Sequence, residues 1–218
     1  MSESQADVLR PHSRRRGVGA PGALLVVISG PSGVGKDAVI EALRRRPEAR
    51  AMDYVVTYTT RARRAGEVDG VSYHFVDAEH FSAMRAAGEL LEASEVHGHW
   101  YGTPRDQVVD GLTLGRDVIL KIDVQGARKV RRRVPQAVLI FMVAPSPEDL
   151  AARLRGRATE SADELELRQR DALRELARQS DYDYIVVNET DQVDRTAARI
   201  EEIIEAEHGA HPDRRVTV

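Results

Sequence analysis

Between Gly30 and Lys36 the chain reads Gly-x-x-x-x-Gly-Lys, directly after the apolar run Leu24 to Ile28 and directly before a helical stretch from Asp37 to Arg46. The order strand, glycine loop, helix constrains the fold more than any other feature. Glycines let the backbone wrap closely around phosphate oxygens, and successive N–H groups with the helix N-terminus supply partial positive charge. Lys36 is placed to reach the terminal phosphates of a nucleoside triphosphate. Gly30, Pro31, Ser32, Gly33, Val34, Gly35 and Lys36 are therefore the candidate donor-phosphate site.

A loop of this kind needs a parallel sheet behind it, and the rest of the chain supplies one. The runs Leu24 to Ile28, Val118 to Ile122, Val138 to Val143 and Tyr184 to Val187 have strand length and are continuously apolar rather than alternating. That pattern suits strands buried on both faces. Helical stretches at Asp37 to Arg46, Gln125 to Arg133, Pro147 to Arg155, Ala162 to Gln179 and Gln192 to Glu205 give a β-α rhythm, hence a doubly wound α/β core. The rhythm breaks between Tyr54 and Gly115, where short strands at 71–76 and 90–101 accompany helices at 78–87 and 104–112. This stretch reads as an inserted substrate domain. The charge-dense segment 150–179 reads as a helical lid.

The expected division is a structureless basic tail over 1–22, a core over 23–56, 114–149 and 180–218, an insert over 57–113 and a lid over 150–179. A formal net charge of −3 gives no global field toward nucleic acid or an anionic membrane, so any anion site is local. No run is long enough to span a bilayer. The chain has no cysteine, which removes thiolate nucleophiles and Cys-ligated metals and fits a cytoplasmic protein. Lysine occurs only at Lys36, Lys121 and Lys129, which makes each one informative.

Two carboxylates are candidate magnesium ligands. Asp37 stands where the loop motif ordinarily carries a Ser or Thr hydroxyl, and Asp123 ends the strand Val118 to Ile122. Asp37 is equally well explained as a first-turn acid opposing the helix dipole.

The string Thr59-Thr-Arg61-x-x-Arg64-x-Gly-Glu67-x-x-Gly-x-x-Tyr73-x-Phe75, with Leu91-Glu92 and Tyr101-Gly-Thr103 beyond it, resembles the guanylate kinases from about Leu24 to Asn188. The resemblance implies a phosphate-loop nucleotide kinase with a GMP-binding insert and a helical lid, converting ATP and GMP to ADP and GDP with Mg²⁺. Arg61 and Arg64 are fork-shaped donors suited to a dianionic monophosphate, and Tyr73 and Tyr101 can add phenolic hydrogen bonds. Guanine presents N1–H and its 2-amino group side by side, a donor pair that a carboxylate accepts at once; the resemblance gives that task to Glu92, helped by Thr57 and Thr103. It further implies lid arginines at Arg153, Arg157 and Arg168, and places Asn188 near the adenine of ATP.

Two positions depart from the family pattern. Ala158 stands for a glycine, and Lys121 for the first acid of Asp-x-Asp-x-Gln-Gly. Asp37 and Lys121 are expected to be linked, an acid gained in the loop and a cation gained on the neighbouring strand. The expected partners are small-molecule substrates only, on a monomer or homodimer. Two rival readings are a ribose 1,5-bisphosphate phosphokinase, whose loop also tends to carry Gly-Lys-Asp, and a catalytically inactive guanylate-kinase-like binding module.

Overall fold

The computed structural model describes residues 17–47, 52–155 and 170–218. Its centre is a five-stranded, wholly parallel sheet of β1 (Leu25–Ser29), β2 (Met52–Tyr54), β7 (Asp117–Lys121), β8 (Val138–Val143) and β9 (Tyr184–Val187), in the order β2-β7-β1-β8-β9. The strands are apolar throughout because both faces are covered. Leu24, Val26 and Ile28 enter one core with α1 (Lys36–Arg44) and α7 (Val193–Ala210), while Leu25 and Val27 enter the opposite core with α3 (Arg105–Thr113) and α4 (Val124–Arg133). Every second residue thus serves a different layer.

Strand β2 adds to the expected set. Three half-buried residues at a sheet edge, one of them Asp53, carry no apolar run that would mark them.

The insert builds a second sheet from β3 (Tyr58–Thr59), β4 (His74–Phe75), β5 (Leu90–Val96) and β6 (His99–Pro104), in the order β4-β3-β6-β5. The expected strand at 71–76 contracts to two residues, and the segment 90–101 folds as an antiparallel hairpin turning at His97 and Gly98. Helix α2 (Ala78–Ala87), N-capped by Asp77 accepting from the His80 amide at 2.7 Å, covers this sheet with Phe81 and Met84. The insert therefore carries its own small core, to which Trp100 and Tyr58 add their rings.

Helix α5 spans Pro147–Arg155 as expected, and α6 is described over 170–176. Of the lid expected over 150–179, residues 156–169 lie outside the described residues. Of the tail expected over 1–22, residues 1–16 lie outside the described residues, and 17–22 are ordered. Residues 17–22 run beside the chain's other end, with the Gly19 amide donating to Val216 O at 2.8 Å and Val18 bridging Thr217. Glycine-rich backbone with no apolar pattern is still ordered where its amides find partners.

Candidate functional site

The loop leaves the carboxyl end of β1, the central strand, and hands straight over to α1, so it sits at the edge where parallel sheets bind ligands. Gly35 has φ 98°, and a Cβ there would meet Asn188 Nδ2 at 2.5 Å, so the position admits glycine alone. The Lys36 ammonium folds back across the loop and donates to Gly30 O at 2.6 Å and Pro31 O at 3.0 Å. Burial lowers its pKa against the opposing pull of Glu175, Asp37 and Asp123. A desolvated cation over an amide-lined turn is a site for anionic oxygens.

Glu175, on α6, was not foreseen. Its Oε2 accepts from the Ser32 amide at 3.3 Å, and burial pushes its pKa up while Lys36 holds it down. Acid-rich helical surface is common, and nothing in the sequence separates Glu175 from its neighbours; only the fold brings it to the loop.

Facing the loop across one pocket are the acceptor candidates. Gly30, Ser32, Gly33, Gly35, Lys36, Asp37, Thr57, Arg61, Arg64, Tyr73, Glu92, Tyr101 and Asp123 line it together. Arg61 is 8% exposed and donates to Glu67 Oε1 at 2.6 Å and to Ala62 O at 2.6 Å, with its guanidinium 5.5 Å from the Tyr73 ring centroid. Burial alone would raise the Glu67 carboxyl, but the hydrogen bonds from Arg61 and from the Arg64 amide pull it below its usual value. Glu67 thus aims Arg61, and Tyr73 and Tyr101 meet edge to face at 5.9 Å beside it.

At the far end Glu92 is 4% exposed, on β5 beside the first turn of α4. Thr103 on β6 donates its hydroxyl to Oε1 at 2.9 Å, and Ser94 donates to Oε2 at 3.0 Å. Burial, and then the nearby Asp123, push the Glu92 carboxyl up to about 7. Thr103 is fully buried behind Glu92 rather than in the pocket wall, so it acts on the carboxylate.

Several expected site residues are placed elsewhere. Asn188, 3% exposed, spends its amide on the loop and on α7: Nδ2 donates to Val34 O at 2.8 Å and Oδ1 accepts from Thr196 at 2.9 Å. Arg153 donates to Val34 O at 3.2 Å and to Asn188 O at 2.8 Å. Both brace the loop from outside, because its outward carbonyls need donors. Pro31 and Val34 are buried supports of the turn. Arg157 and Arg168 lie outside the described residues.

The Asp37–Lys121 linkage is a direct contact. Lys121 ends β7 in register with Ile28, so its side chain rises beside the loop, and Nζ reaches Asp37 Oδ1 at 2.5 Å and lies 4.8 Å from the Tyr73 ring centroid. Burial works against the Lys121 charge, but Tyr73 and Asp37 outweigh it and the pKa is raised.

Asp123 caps α4, accepting from the Gly126 amide at 2.8 Å through Oδ1. Among the described residues no group of three or more acidic, His or Cys side chains could cage a metal alone. Asp37 and Asp123 both line the pocket, each with Oδ1 engaged by a protein donor, and a carboxylate oxygen is the ligand that a hard cation such as Mg²⁺ takes.

Comparison with known proteins agrees with this arrangement. The family model described as guanylate kinase matches residues 23–207. The chain is 46% identical over 185 residues to a guanylate kinase of Streptococcus agalactiae, covering 85% of this chain and 87% of that protein. It is 43% identical over 199 residues to "Guanylate kinase 2, chloroplastic/mitochondrial" of Oryza sativa, covering 91% and 69%. Among solved structures, a guanylate kinase from Anaplasma phagocytophilum superposes with a TM-score of 0.70 at 33% identity, covering 87% of this chain and 88% of that one.

Proposed function

The chain belongs to the guanylate kinase family, and on that premise we propose that it transfers the γ-phosphoryl group of ATP to GMP, releasing ADP and GDP. The observation that carries the reading is a single pocket with a phosphate loop at one end and a buried, two-oxygen acceptor, Glu92, at the other. A carboxylate in that setting matches the paired donors of guanine and mismatches adenine, which has an acceptor at N1.

Between the two ends, Arg61, Arg64, Tyr73 and Tyr101 hold the acceptor phosphate so that one of its oxygens lies in line with the γ-phosphorus. The new P–O bond forms as the bond to the β-phosphate oxygen breaks, and no protein nucleophile takes part. Lys36 and the loop amides neutralise charge on the donor phosphates, and Lys121 adds a cation on the Tyr73 side. Asp37 and Asp123 are the residues that would hold Mg²⁺, which would supply further charge neutralisation when bound with ATP. The family resemblance assigns Arg157 and Arg168, which lie outside the described residues, to the same charge neutralisation. Arg153 and Asn188 serve by holding the loop.

A coupled assay offering GMP, AMP and ribose 1,5-bisphosphate as acceptors tests the reading. Turnover is expected with GMP. Turnover with the ribose bisphosphate alone would overturn the substrate assignment, and GMP binding with no turnover would overturn the reaction.

A further inference from the structure

Behind the Glu92 carboxylate lies a polar chain that the phosphoryl transfer itself does not require. Ser94, two residues along β5 and so on the same face of the strand, is fully buried and donates to Glu92 Oε2 at 3.0 Å. From the adjacent α4, Lys129 donates to Ser94 Oγ at 3.0 Å and also to Ala93 O. An ammonium group has three donors and no acceptor, and a serine hydroxyl has one proton. With Lys129 donating into its oxygen, the Ser94 hydroxyl must turn its proton toward Glu92.

We propose that Lys129, acting through Ser94, is a specificity-determining positioning residue that fixes the Glu92 carboxylate as a two-point acceptor for the guanine edge. This rests on the reading of GMP as acceptor. Thr103 anchors Oε1 and Ser94 anchors Oε2, so each oxygen is pinned from the protein side and keeps its remaining lone-pair direction for the base. Gly126 on α4 leaves the room this requires. A Cβ there would come 2.9 Å from Glu92 Oε2 and displace the carboxylate from its anchors. The helix that carries Lys129 thus packs against the carboxylate it orients.

The proposal predicts a loss in reading the base and little loss in chemistry. The probe is inosine monophosphate, which keeps N1–H and lacks the 2-amino group. In Ser94→Ala and in Lys129→Met the KM for GMP should rise about tenfold, the scale of a hydrogen bond to a charged group, while kcat and the KM for ATP change less than about twofold. The preference for GMP over inosine monophosphate in kcat/KM should fall by about the same factor, because an unanchored carboxylate no longer rewards the second donor. Lys129→Arg, still a donor without acceptors, should recover most of that preference.

The two variants should not add: Lys129→Met placed in the Ser94→Ala background should cost no further preference. Lys129 also ties down the Ala93 carbonyl, and a purely structural role would lower kcat and Tm and would cost the same in either background. Unchanged GMP preference in Ser94→Ala, which removes only a hydroxyl, overturns the relay, as does full additivity. GMP turnover by the wild-type enzyme is measured first and tests the reaction separately, so a failure of the relay is distinguishable from a failure of the substrate assignment.

Discussion

The two ends of the pocket are made of different material. The donor end is backbone: a glycine loop between β1 and α1, with one ammonium laid across it and the side chains of Asn188 and Arg153 each donating to Val34 O. The acceptor end is side chain upon side chain. Glu67 aims Arg61, and Thr103 and Ser94 aim Glu92, with Lys129 behind Ser94. Amides that point at phosphate cost nothing to desolvate beyond what the turn already demands, whereas a buried carboxylate must be stabilised group by group.

The most severe way to break the comparison is to remove the one indispensable side chain of the donor end. Lys36→Met should lower kcat by about a thousandfold, the scale of deleting a preorganised charge at the transferring group. GMP binding, measured by calorimetry without ATP, should stay within about twofold of wild type. A comparable loss of GMP affinity would show that the two ends are not separable.

The Asp37–Lys121 contact spans the boundary between the ends and sharpens it. Asp37→Ser alone leaves Lys121 with one carboxylate fewer, and Lys121→Asp alone sets two acids together; each should lower kcat/KM for GMP about tenfold. The double variant restores a hydroxyl in the loop and an acid on β7, and should recover most of the loss. Additive effects would mean that the pair is in contact but does not act as a unit.

The same contrast explains which parts could be read from the sequence. A backbone site is written locally, because Gly30, Gly35 and Lys36 must be neighbours in the chain to be neighbours in space. The parallel core was legible for a related reason: strands buried on both faces show as unbroken apolar runs, and β8 and β9 fall where such runs lie. Arg61, Tyr73, Glu92 and Tyr101 were legible through one dense string and its resemblance to a family. Glu175, Ser94 and the β2 edge strand had no local mark. Ser94 matters only because α4 brings Lys129 to it from 35 residues away, and Glu175 meets the loop amide from 143 residues away. Arg153 and Asn188, expected at the nucleotide, each donate to the Val34 carbonyl, a role in holding the loop that a sequence pattern does not carry because it depends on which carbonyl lacks a partner.

A further expected effect bears on stability rather than on turnover. If the acceptor end is assembled from desolvated side chains, its central carboxylate should weigh against folding. Glu92 releases its proton near 4.5 when exposed and at about 7 in the folded protein. Between those values the native state holds a proton that the unfolded chain has lost, so stability falls as pH rises through this window and levels off above it. The full shift corresponds to about 3 kcal/mol at pH 8. Glu92→Gln removes the ionisation, so its Tm should exceed that of wild type by roughly 6–12 °C at pH 8. The difference should nearly vanish at about pH 3.5, below the exposed value, where Glu92 is protonated in the folded and the unfolded chain alike. Thermal unfolding of the two proteins across this range isolates the carboxylate, because every other group is common to both. A Tm difference that does not change with pH would mean that Ser94, Thr103 and Lys129 already compensate Glu92 in full, and that the guanine end is as inexpensive to fold as the loop.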